Sequence, residues 1–378
     1  MTSLISDDLL KNFFEVLEKT ENDLPKVLDE NVTIDDLIKN QEKKTSQLIQ
    51  SRKAIYLDTN YWLSFRDIER RIKTDKVWID LYMLIKQKID EGKIFCPLSL
   101  PIFLELLRQI DPVSKKKTAK IMQTLSLGVG LEFFEDRVYN DFIDFFSKDK
   151  SPHPLFGNAS FILGIPNVSD INQKSLKSLY YLISNFDFQF FSSLVTNDSF
   201  DKNLEDKEFE DWAESLNKLK ESISTNEKKY WIEEVLKYIP QTFNELSLKA
   251  YNQSLKEQGK QPLPNYEEIE QICAGTISYF LTNIKDFHDG KLDFLYIYCI
   301  LLSFLLNQKG RKIQPHDCYD VIHAAEAISS CDYYFTERFF TNLISTNKVP
   351  KTNTTLIQEY SINVCATPSD AINLLKTI

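Results

Sequence analysis

The chain has 378 residues, of which 43% are hydrophobic and 26% charged, and a formal net charge of −10. That length is enough for two domains, or for one domain with a large insertion, and the composition is ordinary for a globular protein. The chain has only 9 glycines and contains neither GxGxxG nor GxxxxGK(S/T). The usual glycine-rich sites for dinucleotides and nucleoside triphosphates are therefore excluded.

No targeting or membrane signal is visible. The N-terminus lacks a basic region followed by an apolar core, which argues against a secretory signal. The longest apolar run, 294–306, is too short to span a bilayer and predicts a buried helix. The six cysteines occur singly, so neither a zinc ribbon nor a disulfide framework is indicated. We expect a cytoplasmic protein with reduced thiols and no membrane partner.

The first part of the chain has the pattern of a parallel α/β sheet. Residues 1–50 have apolar positions at helical spacing and predict a helical N-terminal extension. A β-branched run at 54–57 predicts a buried strand that ends at Asp58. Helices follow, a second strand is predicted at 94–98, and the next helix contains Glu105. Strand, helices, strand and helix in this order are typical of a parallel sheet.

The α/β pattern stops and later returns. Most of residues 135–310 have long helical periods, whereas a helix at 317–329 and strands at 333–336 and 361–366 are predicted near the end. The sequence therefore predicts a sheet domain that is split by a helical insertion. The predicted segments are a helical extension (1–50), the first half of the sheet domain (52–134), the insertion (135–310) and the second half (311–378).

Carboxylates stand beside the predicted strands and at the start of an apolar helix. They are Asp58, Glu105, Asp317, Asp320 and Glu337. Carboxylates that converge from different elements repel one another unless a cation lies between them, and hard divalent cations bind several carboxylate oxygens. This pattern predicts a metal-dependent nuclease.

Each position also has a structural alternative. Asp58 precedes Thr and Asn and could cap the following helix, and Asp317 could cap its own helix. Glu105 could face solvent at a helix edge. His323 shares a helical face with Asp320 and is expected to orient or pack rather than to bind metal. Thr336 could hydrogen-bond phosphate or metal-bound water.

Together these segments resemble the PIN domain, a family of metal-dependent nucleases with a Rossmann-like parallel sheet. In that family one strand ends in Asp, often within Asp-Thr-Asn, and a Glu lies on a later helix. A third acid opens a helix that continues with His-Ala or Ala-Ala, and a last strand ends in Thr followed closely by Asp. Asp58, Glu105 and Asp320 match the first three acids, and residues 320–340 are the most specific match.

The fourth acid departs from the family pattern, because Glu337 stands where Asp is usual. Asp317 could compensate for the longer side chain. The resemblance covers 52–134 and 311–378, and it implies nothing about residues 1–50 or 135–310.

The resemblance implies an α/β, Rossmann-like PIN domain that is split by a large all-helical insertion. It also implies an endonuclease that hydrolyses single-stranded RNA with one or two Mg²⁺ or Mn²⁺ ions. Asp58, Glu105, Asp320 and Glu337 would bind the metal, with Asp317 as a further candidate. Supporting roles are expected for Asn60, Thr336 and His323.

The charge distribution fits a nucleic-acid partner better than the net charge does. Residues 52–128 contain 15 Lys and Arg against 9 Asp and Glu, a local balance of +6. Such a patch could hold phosphates near the carboxylates, although a solvated helix face is an equal alternative. The candidate phosphate contacts are Arg66, Arg70, Arg71, Lys115, Lys116 and Lys117.

Two other functions stay open at this point. One is a non-catalytic PIN-like scaffold that binds protein partners through the helical insertion. The other is a nuclease that acts on single-stranded DNA in defence or repair. The insertion could be a lid, an arm for forming a homo-oligomer or a substrate-selecting domain, and the sequence does not choose among these.

Overall fold

A computed structural model describes most of the regions that carry the predicted site. The described residues are 33–107, 109, 111–146, 154–158, 162, 177, 202–222, 241–261, 293–308, 310–349 and 352–378. They form a mostly helical α/β structure with a small parallel sheet. The predicted helices in 1–32, 223–240 and 262–292 lie outside the described residues.

The strands of the described regions belong to two sheets. They are β1 (Lys53–Leu57), β2 (Ile94–Phe95), β3 (Val129–Leu131), β4 (Phe156–Asn158), β5 (Tyr333–Phe335) and β6 (Asn363–Cys365). Four of them form a parallel sheet in the order β2-β1-β5-β6, while β3 and β4 form an antiparallel pair. The apolar side chains of β1 are buried, as expected for a strand that is covered on both faces.

Helices make up most of the remaining described structure. They are α1 (Ile34–Ile49), α2 (Thr59–Glu69), α3 (Lys76–Asp90), α4 (Leu100–Leu107), α5 (Pro112–Ser126), α6 (Phe134–Phe146), α7 (Lys202–Ser222), α8 (Gln241–Glu257), α9 (Asp293–Leu306), α10 (Pro315–Ser330), α11 (Arg338–Thr346), α12 (Leu356–Tyr360) and α13 (Pro368–Leu375). None of the helices in these regions is both long enough and apolar enough to cross a bilayer.

The apolar run near the end of the predicted insertion is a buried helix, as its sequence predicts. Every residue of α9 after Asp293 is buried. Its apolar side chains belong to the same hydrophobic cluster as those of β1, β5 and α10. The end of the insertion is thus packed into the core that supports the sheet.

The prediction of an all-helical insertion is wrong at one place. Strand β4 lies within 135–310 and pairs with β3, with Gly157 opposite Gly130. Ile162 packs so closely over Gly130 that a Cβ there would lie 2.6 Å from its side chain. Three-residue strands that contain glycine lack the alternating or apolar pattern from which a strand is predicted.

The connections of the parallel sheet diverge between β1 and β5. From β1 the chain passes through α2 and α3 to β2 on one side, whereas from β5 it passes to β6 on the other side. In open parallel sheets, ligands bind at such a switch point, outside the carboxyl ends of the strands. Asp58 directly follows β1, and Thr336 directly follows β5.

Candidate functional site

Asp58 lies at the carboxyl end of β1 and is only 7% exposed. Its backbone N–H donates to the carbonyl of Phe335, and its Oδ2 accepts a hydrogen bond of 3.0 Å from Thr336 Oγ1. Although Asp58 occupies the N-cap position of α2, its side chain makes no capping hydrogen bond. The carboxylate is therefore held at the edge of the sheet by Thr336, with the backbone N–H of Asn60 also near it.

Burial raises the pKa of the Asp58 carboxyl above its ordinary value, and the negative charge of Glu105 raises it further. His323, Thr336 and the backbone N–H of Asn60 oppose this shift. Asn60 itself is exposed near the start of α2. Asp58 is thus an acid whose charge is poorly compensated where it stands.

Asp320 faces the same region from α10. Burial raises the pKa of its carboxyl to about 8, with further contributions from Asp58, Glu337 and Glu105, while His323 opposes the shift. Like charges raise one another's pKa only when they lie close together. We call Asp58, Glu105, Asp320 and Glu337 the acid cluster, because these carboxyl groups from distant parts of the chain lie near enough to influence one another's charge.

Glu105 joins the cluster from α4, and its side chain is 28% exposed. Its Oε2 accepts a hydrogen bond from the hydroxyl of Thr59, at the start of α2. The same oxygen lies 3.7 Å from Nε2 of His323, which is longer than a hydrogen bond. Glu105 is therefore oriented inward by neighbouring groups and is not a solvent-facing residue at the helix edge.

Glu337 lies on the outer side of the cluster. It is exposed and occupies the N-cap position of α11 without a capping hydrogen bond. Partial burial and the charge of Asp58 raise the pKa of its carboxyl, while His316 and Arg311 oppose the shift. Glu337 therefore lies near enough to Asp58 to feel its charge, from the outer side of the cluster.

Asp317 belongs to a different arrangement, and the suggestion that it could be the fourth ligand needs correction. Its side chain is buried, with Oδ1 2.6 Å from Nη2 of Arg311 and Oδ2 accepting a 2.7 Å bond from the N–H of Gln314. Both carboxylate oxygens are thereby occupied by an ion pair and a capping box at the start of α10. The structure supports the capping alternative for this residue.

His323 is held in the interior by residues that the sequence did not single out. Its Nδ1 lies 2.6 Å from the hydroxyl of Tyr56, which also lies 2.7 Å from Ser99 Oγ and 3.0 Å from Glu326 Oε2. We call Tyr56, Ser99, His323 and Glu326 the tyrosine network. Glu326 could have been found, because it is a charged residue within the apolar run of α10, as Glu105 is on α4.

The charge on His323 depends on the acid cluster. Complete burial lowers its pKa, but Glu105, Asp58 and Asp320 outweigh this effect and raise the pKa to about 9. The imidazolium therefore offsets part of the negative charge at the cluster. The expected orienting role of His323 stays a prediction.

The predicted phosphate contacts differ in their surroundings. Arg66 pairs with Asp67 and donates to Gln109. Arg70 donates to Ser114 and lies 3.4 Å from Asp111. These two arginines are held by contacts within the protein. Arg71 and Lys116 are exposed, whereas Lys115 and Lys117 are half-buried.

The donor set of the acid cluster fits a hard divalent cation. Burial and neighbouring acids raise the pKa of Asp58 and of Asp320, and Mg²⁺ or Mn²⁺ bound through carboxylate oxygens would offset this charge imbalance. Within the described residues, however, no three His, Cys, Asp or Glu side chains are already arranged to hold a metal ion. The chemistry of the donors fits a cation, but a complete set of ligands is not preformed.

Comparisons with protein-family models, with curated proteins and with solved structures find no match to this chain. Its function is therefore inferred from the residues of the site.

Proposed function

We propose that this chain is a PIN-type, metal-dependent endonuclease that hydrolyses phosphodiester bonds of single-stranded RNA. The observation that supports the proposal best is the convergence of the acid cluster beside β1 and β5. There Asp58, Glu105 and Glu337 all contribute to the raised pKa of Asp320. Repulsion among these carboxylates lowers the stability of the fold, and acids with perturbed pKa values are typical of functional sites.

Mg²⁺ or Mn²⁺ is the cofactor that this cluster would hold. Asp58, Glu105 and Asp320 are the proposed ligands, with Glu337 completing the set from the rim. When bound, such an ion lowers the pKa of a coordinated water and offsets charge on the attacked phosphate. Thr336 restrains the Asp58 carboxylate, and the positive charge of His323 faces Glu105.

The substrate class follows from charge and from the resemblance to PIN nucleases. A polyanion would be repelled by the acid cluster alone, so its binding requires the cation together with positive charge nearby. The local balance of +6 in residues 52–128 and the exposed Arg71 and Lys116 supply that charge. RNA is preferred over DNA on the family resemblance alone.

The decisive experiment is cleavage of an end-labelled single-stranded RNA by the purified protein with Mn²⁺, with Mg²⁺ and with EDTA. We expect cleavage with either metal, none in EDTA, and none with Asp58→Asn or Asp320→Asn. Asp80→Asn is the matched control, because Asp80 is an exposed acid on α3. Full cleavage in EDTA, or by Asp58→Asn, would contradict the proposal. A DNA strand of the same sequence tests the alternative substrate.

A non-catalytic PIN-like scaffold is the second candidate. It is favoured by one observation, namely that no set of three or more His, Cys, Asp or Glu side chains among the described residues is arranged to hold a metal ion. Such a scaffold would bind protein partners through residues 135–310 and would gain no stability from Mn²⁺. A nuclease with this cluster gains thermal stability in Mn²⁺, since a ligand that binds only the folded state stabilises it. Measurement of the melting temperature with and without Mn²⁺ separates the two.

A further inference from the structure

The hydroxyl of Tyr56 is the centre of the tyrosine network, which lies directly behind the acid cluster. Three polar atoms, from Ser99, His323 and Glu326, lie within 3.0 Å of it. All four side chains are at most 3% exposed. Burial of polar groups costs free energy unless they are hydrogen-bonded, and an apolar core would be the simpler solution. The arrangement therefore indicates a role beyond packing.

His323 connects this network to the acid cluster. One side of its ring contacts the Tyr56 hydroxyl through Nδ1, while Nε2 on the other side faces Oε2 of Glu105 at 3.7 Å. Nε2 is buried and has no hydrogen-bond partner among the described residues. The ring is thus held from behind and directs its remaining nitrogen towards an acid of the cluster.

The network also links the elements that carry the cluster. Tyr56 lies on β1, two residues before Asp58, and Ser99 directly precedes α4, which carries Glu105. On α10, His323 lies about one turn beyond Asp320, and Glu326 lies about one turn beyond His323. A single hydroxyl therefore ties together the three elements from which Asp58, Glu105 and Asp320 project.

We propose that Tyr56 and Glu326 are positioning residues of the proposed nuclease site, which orient His323 and, through it, the carboxylate of Glu105 for binding a divalent cation. This inference rests on the proposed function. Neither residue touches the metal or the substrate. Their effect is indirect, like that of the outer partners of metal ligands, whose loss typically costs roughly 10–100-fold in metal affinity or activity.

The test uses Tyr56→Phe, which removes only the hydroxyl. Tyr82→Phe is the matched control. Tyr82, on α3, is also buried and donates a 2.8 Å hydrogen bond to a glutamate, Glu69, but it is not part of the tyrosine network. For each protein, three quantities are measured: the Kd for Mn²⁺ by calorimetry, the Mn²⁺ concentration for half-maximal RNA cleavage, and the free energy of unfolding in EDTA.

We expect Tyr56→Phe to weaken Mn²⁺ binding and activation by about tenfold or more. Tyr82→Phe is expected to lose stability while keeping the wild-type Mn²⁺ values. A purely structural network predicts that both variants lose stability and that neither changes its Mn²⁺ values, and this result would overturn the inference.

A second pair of variants keeps the test sound if Tyr56→Phe does not fold. Glu326→Gln retains an acceptor for the Tyr56 hydroxyl and is expected to stay close to the wild-type Mn²⁺ values, whereas Glu326→Ala is expected to weaken them. Equal Mn²⁺ values for Glu326→Ala and the wild type would contradict the inference alone. A wild-type protein that neither binds Mn²⁺ nor cleaves RNA would contradict the proposed function and this inference with it.

Discussion

Thr336 Oγ1 donates a hydrogen bond of 3.0 Å to Oδ2 of Asp58, across 278 positions of the chain. The two residues follow the neighbouring strands β1 and β5, whose register pairs Leu57 with Phe335. Strand pairing brings the two side chains together, and the hydrogen bond then restrains the Asp58 carboxylate at the place where the acids converge.

Thr336→Val tests this restraint, because it removes the hydroxyl at nearly constant volume. Loss of a donor that lowers the pKa of Asp58 raises that pKa and leaves a buried oxygen without its partner. We expect the free energy of unfolding to fall by about 1–2 kcal/mol and Mn²⁺-dependent cleavage to fall by about tenfold. Chemical denaturation and initial cleavage rates measure these effects.

The control for that substitution is Thr341→Val on α11. The Thr341 hydroxyl is buried and makes no hydrogen bond to any described residue, so its removal should change neither stability nor activity appreciably. Equal effects of the two substitutions on cleavage would show that the bond to Asp58 has no functional role.

The raised pKa of Asp320 predicts how stability depends on pH. Since its pKa rises from 3.8 to about 8 on folding, the folded protein holds the proton more tightly than the unfolded chain. Stability in EDTA should therefore fall as pH rises from about 4 to about 8. His323 acts in the same direction. Because its pKa is raised from 6.5 to about 9 in the folded protein, stability should also fall as pH rises through this range.

Asp320→Asn removes one source of this dependence. We expect a smaller loss of unfolding free energy between about pH 5 and about pH 8.5 than in the wild type, measured by urea denaturation in EDTA. Asp80→Asn should retain the wild-type difference. An unchanged pH dependence in Asp320→Asn would mean that its carboxyl is not perturbed as the structure indicates.

Asp317→Asn should keep cleavage activity, whereas Asp320→Asn should lose it, although the two residues are only three positions apart on α10. Its carboxylate pairs with Arg311 and caps the helix, so the substitution should lower the free energy of unfolding by about 1–2 kcal/mol. Cleavage per folded molecule should stay near the wild-type rate, assayed well below the melting temperature. Loss of cleavage in a fully folded Asp317→Asn protein would instead indicate that Asp317 is a metal ligand.

Lys116→Gln tests the proposed phosphate contacts, and Arg66→Gln serves as its control. Lys116 is exposed, whereas Arg66 already has partners within the protein. Removal of one phosphate contact should reduce the slope of log affinity against log salt by about 0.7 for a single strand. Fluorescence anisotropy with labelled RNA in Ca²⁺, a cation chosen to prevent turnover, measures that slope. We expect the change only for Lys116→Gln, and a larger change for Arg66→Gln would contradict the assignment.

Several features could be predicted from the sequence because they depend on local physical chemistry. The strand that ends at Asp58 was predictable, since a covered parallel strand requires a continuous apolar run. Glu105 and Asp320 were recognisable as acids within apolar helices, where burial of a charge needs a specific reason. The short strands β3 and β4 were not, because three residues with a glycine carry no distinguishing pattern.

The surroundings of other residues could not be predicted from their spacing along the chain, because they depend on tertiary packing. Asp317 and Asp320 share a helical face in the sequence, but the rotation of α10 against the sheet directs one to Arg311 and the other to the acid cluster. Tyr56 cannot be distinguished from an ordinary core residue until Ser99, His323 and Glu326 surround its hydroxyl. The sequence by itself determined which residues carry charge into apolar surroundings. The tertiary structure decided which of those charges meet, because contacts between distant segments depend on strand order and helix orientation, which local patterns do not encode.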